Sequence, residues 1–154
     1  NKRSQANKFE CMKKGFTLIE ILIVVAIIGI LASVVLVGLG PVQRQGRDAR
    51  RISDLRQVQT GLELFFNKNG YYPNAASWTD VTNALVSSGL VSNVPKDPRP
   101  AQSYEYGTNG TNGNSYVLKA TLEDAGNPNF SDDIDDVVYG VDCNDANQAY
   151  CVRL

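Results

Sequence analysis

The sequence predicts an α+β chain, with one long amino-terminal helix packed on a small antiparallel sheet. An apolar run from Phe16 to Gly40 leads into a helical stripe, Ile52, Leu55, Val58, Leu62 and Phe65, at steps of three and four. Further on, Asn-Gly pairs separate two short runs, and the second alternates from Ser115 to Glu123. The 154 residues suffice for one ordinary domain with a core of useful size.

The chain has 15 Lys+Arg, 16 Asp+Glu and no His. Without His, a Ser-His-Asp or Cys-His site is excluded, and so is a zinc site that uses imidazole. The near-zero net charge argues against nucleic-acid binding, but it hides a gradient. The first 15 residues hold Lys2, Arg3, Lys8, Lys13 and Lys14 against the single acid Glu10. Half of all acids lie from Glu123 onward, and no base occurs between Lys119 and Arg153. The two ends are built for different surroundings.

No charge interrupts Ile21 to Gln43. As a helix, Phe16 to Gly40 would span roughly 37 Å, enough for a bilayer core of about 30 Å. A soluble core helix would show a polar face, and this run shows none. The basic start is expected to stay cytoplasmic while the rest crosses. Glu20 sits inside the apolar run, where an unpaired carboxylate costs about 2.5 kcal/mol or more. Either it snorkels to the headgroups, or it awaits a cation from another molecule. Cutting the chain before Phe16 would create such a cation, a new α-amine four residues from Glu20.

Lys13-Lys14-Gly15 followed by Phe16-Thr17-Leu18-Ile19-Glu20 resembles the processing site of type IV pilins and type II secretion pseudopilins. The resemblance runs to about Leu36 through GFTLIE and VVAIIGILA. It implies that residues 1–15 are a basic leader removed by a prepilin peptidase between Gly15 and Phe16. It implies N-methylation of Phe16 and a role for Glu20 in subunit assembly. Residues 16–41 would be the transmembrane and filament-core helix, and 42–154 the head with the rest of the long helix. An ordinary secretory signal would be cut after the apolar run and would not need Glu20. Gly29 matches a family glycine where the helix loosens in filaments. The family proline falls at Val37, whereas here it is Pro41, beside Gly38 and Gly40. A kink or a non-helical stretch is expected there.

Within the head, the helix should end near Asn67 to Gly70, since Asn69-Gly70 is a stop signal. Arg44, Arg47, Arg50, Arg51 and Arg56 lie off its apolar stripe and read as a solvated face, or as contacts for headgroups or a neighbouring subunit. Thr79 can cap a short helix from Asp80 to Ser88 ending at Gly89, with Trp78, Val81 and Leu85 on the core side. Three prolines between Val94 and Pro100 block regular structure. Tyr104 to Tyr106 and Ser115 to Glu123 form a hairpin, with Tyr116, Leu118, Ala120 and Leu122 on one face. Further strands are expected at Val137 to Val141 and Tyr150 to Leu154. The segment Val94-Pro95-Lys96-Asp97-Pro98, followed by Tyr104 and Tyr106, is similar to that of the major pseudopilin of type II secretion.

Removal of the leader takes Cys11 with it and leaves Cys143 and Cys151, which in an oxidising compartment would close a short loop. The alternative is two free buried thiols. Some type IV pilins close their carboxy-terminal region in this way. Asp132, Asp133, Asp135 and Asp136 are hard oxygen ligands at a density that suits Ca²⁺, although not in EF-hand spacing. Major pseudopilins of type II secretion hold calcium in a carboxy-terminal loop, and a solvated acidic loop is the other reading.

The resemblance therefore implies a structural subunit and not an enzyme, in a type IV pilus-like helical homo-oligomer. No cofactor is required, with calcium as the one candidate. Its partners would be other copies, the prepilin peptidase, and a pilus or secretion platform in the cytoplasmic membrane. The assembled filament would be extracellular or periplasmic. The first alternative is a major-pseudopilin-like subunit of type II secretion. The second is a single-span, membrane-anchored module binding calcium or sugar. No carboxylate pair is singled out as general acid and base.

Overall fold

The computed structural model describes residues 15–111 and 113–154. The leader through Lys14, with Cys11 and Lys13, lies outside them, as does Asn112. The chain divides into two compact units, one ending at Gly40 and one running from Pro41 to Leu154.

Helix α1 runs from Leu18 to Asn69 and contains Pro41. The non-helical stretch expected around Gly38 to Pro41 is absent, because the helix continues through it. The proline ring fixes φ near the helical value, so losing one donor does not break the backbone path. Gly29 is helical as well. At the carboxy end, Gly70 takes a φ of +80°, and its N–H donates to the Phe66 carbonyl at 2.7 Å. That is the glycine stop that Asn69-Gly70 predicts.

In the first unit none of the described residues of α1 is buried: Leu18, Ile23, Ile28 and Leu31 are all at least half exposed. In the second unit the expected stripe is buried from Ile52 to Leu62, with Leu55 and Leu62 fully covered, and Phe65 is half-buried against it. Helix α2 spans Trp78 to Ser87 and turns Val81 and Leu85 into the same core. Its cap is Ser77, not Thr79. The Ser77 Oγ accepts from the Asp80 N–H and donates to Asp80 Oδ2 at 2.7 Å. This reciprocal pair starts the helix earlier than expected, because Asp80 lies at the spacing that a capping box needs from Ser77.

Strands β1, Glu105 to Thr108, and β2, Tyr116 to Thr121, form the expected antiparallel hairpin. Strand β3, Val137 to Val138, and strand β4, Val141 to Asp142, form a separate two-stranded ribbon. Strand β5, Ala149 to Arg153, pairs antiparallel with β2 and completes a sheet of order β1-β2-β5. The single strand expected over Val137 to Val141 is thus a tight hairpin. Tyr139 and Gly140 both take positive φ, 50° and 82°, which gives the left-handed turn that suits twisted strands.

The inner sheet face carries Tyr116, Leu118, Ala120 and Leu122 against α1 and α2, as the alternation requires. Tyr72, Tyr104, Tyr106 and Tyr116 fill much of this core, and each hydroxyl finds an acceptor. A buried phenol left without a partner would be costly. The outer face is also covered in part. Val117, Val141, Cys143 and Cys151 form a second, smaller cluster under the β3–β4 hairpin. Gly107 permits this approach, since a Cβ there would lie 2.9 Å from the Tyr139 carbonyl oxygen.

Candidate functional site

Three polar constellations stand out, at the start of α1, in the middle of the head, and at the carboxy-terminal loops. At the first, Gly15 and Phe16 are exposed, Phe16 by 84%. Thr17 precedes α1, and its N–H and hydroxyl both donate to Glu20 Oε2, at 2.8 and 2.7 Å. The Glu20 N–H donates back to Thr17 Oγ1 at 3.3 Å. This is a capping box, and it places a carboxylate at the positive end of the helix. The Thr-Leu-Ile-Glu spacing spelled out this local partner for Glu20, which the sequence analysis did not draw from it.

The second constellation corrects the solvated-face reading for Arg51 and in part for Arg47, while Arg44, Arg50 and Arg56 are exposed as that reading expects. Arg51 is fully buried. Its guanidinium donates bidentately to Asp97 at 2.7 and 2.9 Å, and also to Asp48, Glu123 and Gln102. Arg47 adds a bidentate pair with Glu123 at 2.7 and 2.6 Å. Asp48, likewise fully buried, accepts the N–H groups of Glu123 and Asp124 just beyond β2. Burial opposes the Arg51 charge, but its bonds to Asp97, Glu123 and Asp48 outweigh that and raise its pKa above the usual value. The bonds from Arg47, against the cost of burial and with help from Arg51, hold Glu123 at about 2. One cation thereby ties the helix, the proline-rich segment and the end of β2 together. This hub holds the head in shape.

The third constellation is a carboxylate group that shares Asp133 and Asp135 with the expected calcium ligands. Asp133, Asp135 and Asp145 each bring a carboxylate oxygen within 4.8 Å of the others. Asp132 and Asp136, expected among the ligands, are not in this group. The expected set came from one sequence run, whereas a short 3₁₀ turn over Pro128 to Asp132 and the fold of the next loop select alternate members. Asp145, which the sequence analysis did not single out as a ligand, opens a second 3₁₀ turn, Asp145 to Asn147, capped by the Asn144 side chain. Nothing in local spacing marks it, because it returns from beyond the β3–β4 hairpin.

Asp133 Oδ2 accepts the Cys151 N–H at 2.8 Å. Asp133 Oδ1 and Asp145 Oδ1 are closed off from solvent and have no hydrogen-bond donor. Burial, with Asp145 and Asp135 adding repulsion, pushes Asp133 up to about 6 despite the Cys151 N–H. Burial and Asp135 raise Asp145 as well. Cys143 and Cys151 are joined in a disulfide beside this cluster.

Residues 11–36 match the family described as the prokaryotic N-terminal methylation motif. The chain is 29% identical over 137 residues to the type II secretion system core protein G of Vibrio cholerae, covering 77% of this chain and 93% of that one. It is 28% identical over 138 residues to the core protein G of Dickeya chrysanthemi, covering 81% and 86% of the two chains. It is also 33% identical over 73 residues to the type IV major pilin protein PilA of Myxococcus xanthus, covering 47% of this chain and 33% of that pilin. The chain thus carries an N-terminal methylation motif and is similar to type IV pilins and type II secretion pseudopilins. The long apolar helix and small antiparallel sheet are the fold expected from that similarity. No solved structure matches the chain.

Proposed function

We propose that this chain is the structural subunit of a type IV pilus-like filament, cut between Gly15 and Phe16 by a prepilin peptidase and methylated at Phe16. Before assembly it is anchored in the cytoplasmic membrane with its amino terminus inside. Assembly transfers α1 from lipid into a bundle of identical helices, and the finished filament lies outside that membrane. The observation that carries this reading is the bare apolar part of α1 within a methylation motif. Burying each Leu or Ile side chain there is worth about 1.5–3 kcal/mol, so the surface requires lipid or other copies.

Glu20 already sits at the helix start, where the methylated amine of a neighbour can pair with it. Glu20→Ala is therefore expected to abolish filaments while the subunit still reaches the membrane. Normal filaments from Glu20→Ala would remove the role of the carboxylate. Mass spectrometry of the mature chain from its own cells should find methylated Phe16 at the amino terminus. A chain that keeps Lys13-Lys14-Gly15 would sink the processing step.

A second reading, the major pseudopilin of a type II secretion system, is supported by resemblance along nearly the whole of core protein G. Deleting the gene separates the two. Loss of protein secretion without loss of surface filaments would favour the pseudopilin, and the converse would favour the pilus.

We also propose that Asp133, Asp135 and Asp145 bind calcium. The carboxylate grouping and its two enclosed, donorless oxygens fit a hard divalent cation. Calcium would supply positive charge that cancels the repulsion among the three acids. Calorimetry of the full chain in detergent tests this, and no heat on adding Ca²⁺ would refute it.

A further inference from the structure

The disulfide touches the carboxylate cluster from two directions. Cys143 lies two residues before Asp145, so the Cys143–Cys151 bridge closes the loop that presents this carboxylate. At the other end of the bridge, the Cys151 N–H holds Asp133 Oδ2. Both cysteines are buried, packed with Val117 and Val141. One covalent link thus stands between two of the three carboxylates.

Like charges this close repel. Asp133 Oδ1 and Asp145 Oδ1 face no donor. The loop that bears Asp145 runs between β4 and β5 and is otherwise held by bonds within itself, from Asn147 to Asn144 and Asp142, from Gln148 to Asp145, from Ala146 to Asn144 and from Asn144 to Asp142, and by the Leu122 N–H to the Gln148 carbonyl. None of these bonds reaches Asp133 or Asp135. Opening the bridge would remove the covalent tie across this loop and loosen the placement of Asp145 against the other two acids.

We infer that the Cys143–Cys151 disulfide is a positioning element of the metal site, and that calcium affinity depends on the bridge being closed. The inference rests on the calcium reading above. A site whose ligands are already gathered spends less of the binding energy on ordering them. Supporting groups of this kind change metal affinity roughly tenfold or more. The coupling is reciprocal, so calcium must make the bridge harder to reduce by the same factor.

The experiment uses the full chain in detergent micelles. Calcium affinity is measured calorimetrically for the oxidised protein and for the double variant Cys143→Ser, Cys151→Ser. Separately, the wild-type disulfide is equilibrated with dithiothreitol redox buffers, with and without saturating CaCl₂. Reduction delivers two electrons and two protons to the sulfurs as the dithiol closes its own disulfide. The expected result is affinity at least about tenfold weaker in the double variant, and a reduction equilibrium shifted by the same factor toward the disulfide when calcium is present. The second measurement needs no variant, so it decides the matter even if the serine protein unfolds. Calcium binding with an unmoved reduction equilibrium would overturn the positioning role and leave the calcium site standing. Failure of the oxidised chain to bind calcium would overturn both.

Discussion

The two parts of α1 share one backbone geometry and differ in what covers them. Up to Gly40 the helix carries Leu, Ile and Val on every side, and among the described residues the chain buries none of them. From Pro41 onward, apolar residues keep to one stripe, and the chain covers that stripe itself. Charges follow the same division. Glu20 is the sole charged residue of the helix before Pro41, and it uses a local cap. Beyond Pro41 the helix places Asp48 and Arg51 in full burial, each satisfied by distant segments. A helix that folds within its own chain is amphipathic, whereas one completed by lipid or other copies is apolar all round.

Substitutions can break this comparison, and the largest effect is expected at the hub. Arg51→Ala would leave Asp48 and Asp97 buried without their cation, and about 3–5 kcal/mol of head stability should be lost. Denaturant unfolding of the full chain in detergent, followed by tyrosine fluorescence, would read it. A loss below 1 kcal/mol, the usual upper worth of a surface pair, would mean that the hub is not closed in solution.

Leu62→Ala and Leu31→Ala form a matched pair on either side of the division. Leu62 is fully buried and Leu31 is 62% exposed. The first should cost about 2–5 kcal/mol of head stability, and the second should leave head melting unchanged. Equal effects would erase the contrast between the two parts of the helix. A smaller change, about 1 kcal/mol, is expected from Ser77→Ala, with Thr79→Ala near neutral. The reverse order would restore Thr79 as the cap of α2.

The smallest effect is electrostatic. With Asp133 at about 6, the folded chain retains a proton through a window in which the unfolded chain has released it. Stability from this group is therefore lost as pH rises from the ordinary carboxylate range through 6. Glu123 acts in the opposite sense, since its contribution is present above the ordinary carboxylate value and is lost as pH falls toward 2. In calcium-free buffer, melting should thus rise slightly from pH 7 to pH 5, and Asp133→Asn should flatten the rise. The group is partly exposed, and screening keeps the change small. A fall in melting temperature over that interval would contradict the buried state of Asp133.

Elements whose cause is local were legible in the sequence. The Ile52 to Leu62 stripe, the Asn69-Gly70 stop and the alternation from Tyr116 to Leu122 each carry their signal within a few residues. So does the segment from Gly15 to Glu20, because its spacing is itself the message. Features made by distant partners were not legible. Arg51 reads as a surface base until Asp97 and Glu123 arrive, 46 and 72 residues later. Asp145 joins Asp133 only after a hairpin and a disulfide have brought the chain back. Two nearby hydroxyls competed to cap α2, and Asp80 decided between them by reciprocating with Ser77. Pro41 argued for an interruption, and the helix absorbed it.

The hub also has a mechanical meaning. The Arg51 and Arg47 pairs to Glu123, together with the Asp48 clamp on the Glu123 and Asp124 N–H groups, join α1 to the end of β2 by bonds that act side by side. Tension along α1 beyond Pro41 would load these charge-assisted bonds together. The sheet would then follow the helix as one body, and the join would fail abruptly when it failed.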